Sequence, residues 1–246
     1  MNLVITPRDK DLFKYLYENK VATRIQIARD VFTNIKRQTI CRRLKKLCLH
    51  KFIDFRSAIL ETKAKHIYSI TQKGVIEIKN EYRHLITEKI KKSDSQTHDL
   101  DLVDIRYVME KFKIVKNYFT ENMLNSCIEF SKSESFNQFV NLRSDGVLEI
   151  ETPNGSFLVA LEYDSSDKAP ERYRKKLAEY YFSKKIRAVL YICGNKPILN
   201  LLKKTDAEIR NDGFIPKIFY LLKENVQRHV KELTFENING DIFKLF

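Results

Sequence analysis

Residues 145–164 read DGVLEIETPNGSFLVALEYD, and the fold of the second half of the chain turns on this stretch. Asn154-Gly155 is a two-residue hairpin signal between two apolar segments, so a strand is expected on each side of it. The run Phe157 to Leu161 ends abruptly in Glu162-Tyr163-Asp164. Residues two apart on a strand share a face, which points Glu162 and Asp164 the same way, with Asp145 at the mouth of the neighbouring strand. Carboxylates this close resist joint ionisation unless a cation or a proton relieves them. Mg²⁺ suits such a cluster, because it takes hard oxygen ligands and keeps waters for substrate phosphates. The plainer alternative is a solvated strand end paired with the Lys and Arg residues that follow.

Working outward toward the C-terminus, the pattern gives a helix from Pro170 to Lys184, an apolar strand from Ile186 to Cys193, a helix from Pro197 to about Arg210 and a strand from Phe214 to Leu222. Toward the N-terminus, His98 to Phe112 reads as a helix with Leu102, Ile105, Val108, Met109 and Phe112 on one side, and a further strand is expected near Ile128. Strands and helices in this order suit a mixed α/β sheet covered on both faces.

The first ninety-odd residues have a different character. Thr6-Pro7-Arg8-Asp9 is a helix start, with Thr6 as N-cap and Pro7 at the first helical position. Leu12, Phe13, Leu16 and Tyr17 form its buried stripe. Thr23-Arg24-Ile25-Gln26 has capping-box spacing and opens a short second helix ending near Phe32. Asn34 to Leu49 holds six basic residues and no acidic one, with Ile40, Cys41, Leu44, Leu47 and Cys48 as its apolar face. Extended segments at Phe52 to Arg56 and His66 to Ile70 follow, flanking a polar loop. Three short helices, the most basic last, and then a hairpin read as a winged helix-turn-helix. In that module the third helix enters the major groove. Lys36, Arg37, Gln38, Thr39, Arg42, Arg43, Lys45 and Lys46 are the DNA-binding candidates, Gln38 and Arg42 for base edges and Lys45 and Lys46 for phosphates. Lys63 and Lys65 on the wing would touch flanking backbone. Thr71-Gln72-Lys73-Gly74 opens another helix running to about Lys92, and the polar stretch after it marks a boundary between residues 1–95 and 96–246.

Charge supports the division. Residues 1–97 hold 22 Lys/Arg against 10 Asp/Glu, leaving 23 against 22 for the rest. A strongly basic module beside a neutral one suggests that the first finds a polyanion, with nucleic acid the leading partner. A membrane surface is disfavoured, because the basic helices lack an aromatic-rich insertion face. There is no signal-peptide pattern and no apolar run near the ~18 residues a bilayer span needs, so a cytoplasmic location is expected. Cys41, Cys48, Cys127 and Cys193 show no metal-ligand spacing, and burial is expected for Cys41 and Cys48, seven apart on one helix face. The absence of a Gly-rich phosphate loop argues against ATP hydrolysis.

The succession Asp145, Glu162-Tyr163-Asp164 and then a basic helix resembles the restriction-endonuclease-like, or PD-(D/E)XK, nuclease core. The whole chain, with Ile70-Thr71-Gln72-Lys73-Gly74 after the hairpin and Leu161-Glu162-Tyr163-Asp164 later, resembles the replication-relaxation family, which includes atypical plasmid relaxases of the MobC and TraX type. The resemblance implies a two-domain α+β protein, a winged helix-turn-helix followed by a restriction-endonuclease-like mixed-sheet core. It implies Mg²⁺ or Mn²⁺ held by Asp145 and Glu162, with the Tyr163 carbonyl as a third oxygen and His98 as a further ligand from an early helix. Asp164 stands where the nuclease pattern has Lys, the residue that orients the attacking water and offsets phosphate charge. Lys176 and Tyr180, one helical turn apart, are the candidate substitute and complete the catalytic set of Asp145, Glu162, Asp164, Lys176 and Tyr180. Tyr180, Tyr181, Tyr173 and Tyr163 are the candidate nucleophiles if tyrosine rather than water attacks.

The expected function is that of a relaxase, which binds a specific duplex sequence at a plasmid transfer origin and nicks one strand nearby. Relaxosome accessory or coupling proteins and a second copy of the chain are its expected partners. The alternative is a non-catalytic DNA-binding regulator or accessory protein whose nuclease fold is degenerate. A third reading, an endonuclease making double-strand breaks, needs two sites acting together.

Overall fold

The computed structural model describes residues 3–60, 63–87, 90, 92–166, 168–210, 213–228 and 231–246, with the side chains of 58–60, 63–65 and 227–228 outside the description. The chain divides into two compact units, residues 1–104 with 125–129, and 105–124 with 130–246.

In the first unit, α1 (Pro7–Asn19) starts on the expected N-cap Thr6, which forms a reciprocal box with Asp9: the Asp9 carboxylate accepts from Thr6 N at 2.7 Å, and Thr6 Oγ1 accepts from Asp9 N at 3.3 Å. Leu12, Phe13, Leu16 and Tyr17 are buried along its inner face. After β1 (Ala22–Thr23), α2 (Arg24–Asp30) opens on the reciprocal Thr23–Gln26 box. In α3 (Arg37–Leu49), Ile40, Leu44 and Leu47 are buried, whereas Cys41 and Cys48 are only half-buried. A long hairpin follows, β2 (Ile53–Leu60) antiparallel to β3 (Lys63–Ile70), and β1 adds to β3 to give the order β1-β3-β2.

The helix expected to run to Lys92 stops much earlier: α4 is Gln72–Ile78. Gly74 is needed where it starts, since a Cβ there would lie 2.4 Å from Phe52 O. Past Ile78 tertiary contacts override helical propensity. The Tyr82 ring packs edge-on to Tyr17 at 5.6 Å, and Leu85 to Thr87 pair with the returning segment through Thr87 N to Ser126 O (2.8 Å) and Ile128 N to Leu85 O (3.0 Å). The first unit also holds the start of α5 (Gln96–Met109), so the division falls at Asp104 rather than at 95/96. Lys20 to Asp99 (3.5 Å), Gln26 Nε2 to Leu100 O (2.8 Å) and Arg29 to Asp104 (2.7 Å) tie that first half in place.

The second unit is built on a seven-stranded sheet, ordered β10-β9-β8-β7-β6-β5-β4 among the described residues. Its first strand is β4 (Val115–Thr120), and no strand forms at Ile128, which instead starts the short helix α7 (Ile128–Lys132) after α6 (Glu121–Ser126). After α8 (Asn137–Asn141), β5 (Gly146–Thr152) and β6 (Gly155–Asp164) form the hairpin read from the sequence, with Gly155 at φ +117° in the turn. Then α9 (Pro170–Phe182), β7 (Val189–Cys193), α10 (Lys196–Arg210) and β8 (Ile218–Leu222) make two parallel crossovers, β6 to β7 and β7 to β8. The chain ends with α11 (Lys223–Arg228) and the antiparallel pair β9 (Leu233–Glu236) and β10 (Ile242–Leu245). Register aligns Glu162, Tyr191 and Tyr220 across β6, β7 and β8. Because α9 bonds Glu162 and α10 bonds Tyr220, both helices cover that face. On the opposite face Arg106 of α5 lies over the Tyr118 ring at 5.8 Å.

Candidate functional site

Glu162 and Asp164 share a face as strand alternation requires, but they are not a solvated strand end: they are 5 % and 3 % exposed. Each has its own cation. Glu162 Oε1 lies 3.1 Å from Lys176 Nζ and accepts a hydrogen bond from the Tyr180 hydroxyl, both from α9. Asp164 pairs with Lys168, four residues on, and accepts from the Tyr191 hydroxyl on β7. With its proton committed to Glu162, Tyr180 accepts from Ser144 Oγ at 2.7 Å. Lys176 Nζ also donates to Leu142 O at 2.7 Å and Arg143 O at 3.3 Å. Asp145 is half-buried, and its Oδ2 accepts from Tyr163 N at 2.8 Å while its main-chain oxygen accepts from Glu121 N at 3.0 Å. Gly146 beside it packs against Tyr118, whose hydroxyl would lie 2.8 Å from a Cβ.

Burial pushes the Glu162 carboxyl up to about 7, with the Asp145 charge adding to the rise and Lys176 and the Tyr180 bond opposing it. Burial alone would lower the Lys176 ammonium, but Glu162 and Asp145 outweigh it and hold the group charged. Burial and the same carboxylate keep the Tyr180 hydroxyl protonated far above its usual range. All four candidate tyrosines are buried. The hydroxyls of Tyr180, Tyr181 and Tyr173 are engaged with Glu162, Asp206 and the Ser166 carbonyl.

Among the described residues no three His, Cys, Asp or Glu side chains form a group able to hold a metal. Asp145 and Glu162 nevertheless feel each other electrostatically and supply hard oxygens. Mg²⁺ is commonly held through one or two carboxylates with water and phosphate completing its shell, and this pair fits that demand in kind. Asp164 is drawn away to Lys168 and Tyr191. His98 belongs to the first unit, where its Nδ1 lies 3.6 Å from Asp99 Oδ1. Reading from the sequence missed Ser144, Lys168 and Tyr191. The spacing of Lys168 from Asp164 was visible, whereas Tyr191 depends on the β6–β7 register.

On α3, Lys36, Arg37, Gln38, Thr39, Arg42, Lys45 and Lys46 are exposed together. Arg43 departs from the expected DNA-facing set. It turns inward, with Nε 2.8 Å from Asp9 Oδ1 and its guanidinium bonded also to Asp9 Oδ2 and to Val4 O at 2.8 Å. Lys63 and Lys65 lie on β3, with side chains outside the described residues.

A model of the family described as replication-relaxation matches residues 13–187. No curated protein matches the chain. Among solved structures, the chain is similar to Bacillus subtilis PadR in complex with operator DNA, with 21 % identity and a TM-score of 0.28 over 44 % of this chain and 70 % of that one.

Proposed function

Since the chain belongs to the replication-relaxation family, we propose that it is a sequence-specific duplex-DNA-binding protein whose second unit nicks one strand near the bound site. The three helices and hairpin of the first unit have the order of a winged helix, and the second unit's sheet and acids suit a nuclease core. The observation that carries the binding reading is the face of α3, where five cations and two polar side chains are exposed together on a helix with no acidic residue. Helices of this kind meet the major groove and its bordering phosphates.

For nicking, the supporting observation is the lysine beside the acids. Asp164 occupies the strand position where the nuclease pattern has Lys, and α9 brings Lys176 to 3.1 Å from Glu162 instead. Asp145 and Glu162 are the residues that would hold Mg²⁺ or Mn²⁺, which when bound polarises a phosphate and acidifies water. Lys176 would offset charge on the scissile phosphate, and Tyr180 holds the Glu162 carboxylate in place. Because burial and the neighbouring carboxylates keep the Tyr180 and Tyr181 hydroxyls protonated, water is the favoured nucleophile; a tyrosyl link would require Tyr180 to leave Glu162. A transfer origin as target and relaxosome partners are part of this proposal, and the family resemblance is their support.

A second reading, a DNA-binding regulator with a silent core, is favoured by the separate neutralisation of Glu162 by Lys176 and Asp164 by Lys168. Supercoiled plasmid carrying the candidate origin separates the two. Metal-dependent open circles, lost in Asp145→Ala and Glu162→Ala while duplex binding stays intact, are the expected result. Tight binding with no nick at any Mg²⁺ or Mn²⁺ concentration would establish the regulator. Linear product would instead indicate paired sites.

A further inference from the structure

The segment Leu142 to Asp145 leads into β5 and delivers Asp145 to the site. It passes through Arg143 at φ +52°, a conformation that residues with a Cβ rarely adopt. What holds it there comes from α9. Lys176 donates to the carbonyls of Leu142 and Arg143, and Tyr180 joins Ser144 Oγ at 2.7 Å. The same two side chains are the ones bound to Glu162. Thus Lys176 and Tyr180 each touch both Glu162 and the segment that carries Asp145. Ser144 is fully buried, so its hydroxyl has no solvent to turn to if Tyr180 is removed.

We propose that Lys176, Tyr180 and Ser144 form a bracket that fixes Asp145 against Glu162, with Ser144 as a positioning residue of the site. This deepens the reading of Asp145 and Glu162 as the working pair and rests on it for its functional meaning. The bracket places the carboxylate at one end of its segment, while the Tyr163 amide reports the result, because Tyr163 N donates to Asp145 Oδ2 at 2.8 Å. Ser144→Ala withdraws one of the bracket's points without touching either carboxylate.

The test is hydrogen exchange of individual backbone amides in the full-length protein, wild type against Ser144→Ala, Tyr180→Phe and the double variant. The expected result is Tyr163 exchange faster by about fivefold in Ser144→Ala, as one net hydrogen bond predicts. Leu190 and Ile192 amides in β7 keep their wild-type rates, and the double variant exceeds Tyr180→Phe alone by little. Unchanged Tyr163 exchange, or acceleration shared equally by β7, would overturn the bracket. Should Ser144→Ala fail to fold, Tyr180→Phe alone decides by the same comparison of Tyr163 with β7. Plasmid nicking is followed in parallel. A wild type that never nicks removes the proposed enzyme yet leaves the amide result standing, so the two failures are distinct.

Discussion

Lys176 is the residue on which the second unit's site depends, because it compensates a carboxylate buried to 5 % exposure. Removing one member of a buried ion pair costs more than the pair contributes, since the other charge is left stranded. Lys176→Met is therefore expected to destabilise the protein by about 3 kcal/mol in urea unfolding, the low end for a broken buried pair because Lys176 keeps some exposure. Adding Glu162→Gln should recover most of that loss, and failure to recover would mean Lys176 acts through its carbonyl contacts instead. In the first unit Asp9 gives a pH signature. Burial by itself raises its carboxyl, but the bonds from Arg43 and Thr6 outweigh burial and hold it below the ordinary 3.8. A depressed folded-state value contributes stability that is present above the unfolded value and lost as pH falls through the folded one. The stability advantage of wild type over Asp9→Asn should thus be full above about pH 4 and shrink in more acid solution; an advantage independent of pH from 7 to 2 would refute the assignment. Thr6 was legible as the N-cap because its role is local. Arg43 was not, because its partner lies 34 residues away and periodicity cannot say which of several arginines turns inward.

Among elements, α3 bears the binding prediction. Lys45→Ala and Lys46→Ala should each flatten the dependence of log affinity on log salt by about one unit, if each meets a phosphate. Arg43→Ala should instead lower the melting temperature and leave that slope alone, because the side chain is bound to Asp9. A slope that falls equally in all three variants would return Arg43 to the DNA-facing set. Elements with strong local signals were legible: α1 and α2 from their caps, α9 from Pro170 at its first turn, and β5 and β6 from Asn154-Gly155. Those decided by distant partners were not. The end of α4 depends on contacts with α1 and with residues 126–128, and β4 was passed over because Lys116 and Asn117 interrupt its apolar pattern. The terminal pair β9–β10 was also passed over, although Asn239-Gly240 turns between them, since each strand has only four residues.

For the molecule as a whole, charge asymmetry suggests two parts, and tertiary pairing divides the chain into two units within α5. Asp99, Leu100 and Asp104 belong to the first unit through Lys20, Gln26 and Arg29, none of which composition could have matched to them. A fragment of residues 1–95 should consequently melt below one in which residues 1–104 are joined to 125–129 by a short linker. Each kcal/mol contributed by the added residues should appear as roughly 4–8 °C at this size. Equal melting temperatures would show that the added residues are dispensable.

The return of residues 125–129 to the first unit also imposes an order in time. During synthesis the last contacts of the N-terminal unit, Thr87 N to Ser126 O and Ile128 N to Leu85 O, form only after β4, a strand of the other unit, has been made. The unit that bears the basic face of α3 is therefore completed only after the next unit has begun, so a chain broken off between residues 105 and 124 would carry α3 on a unit lacking those contacts.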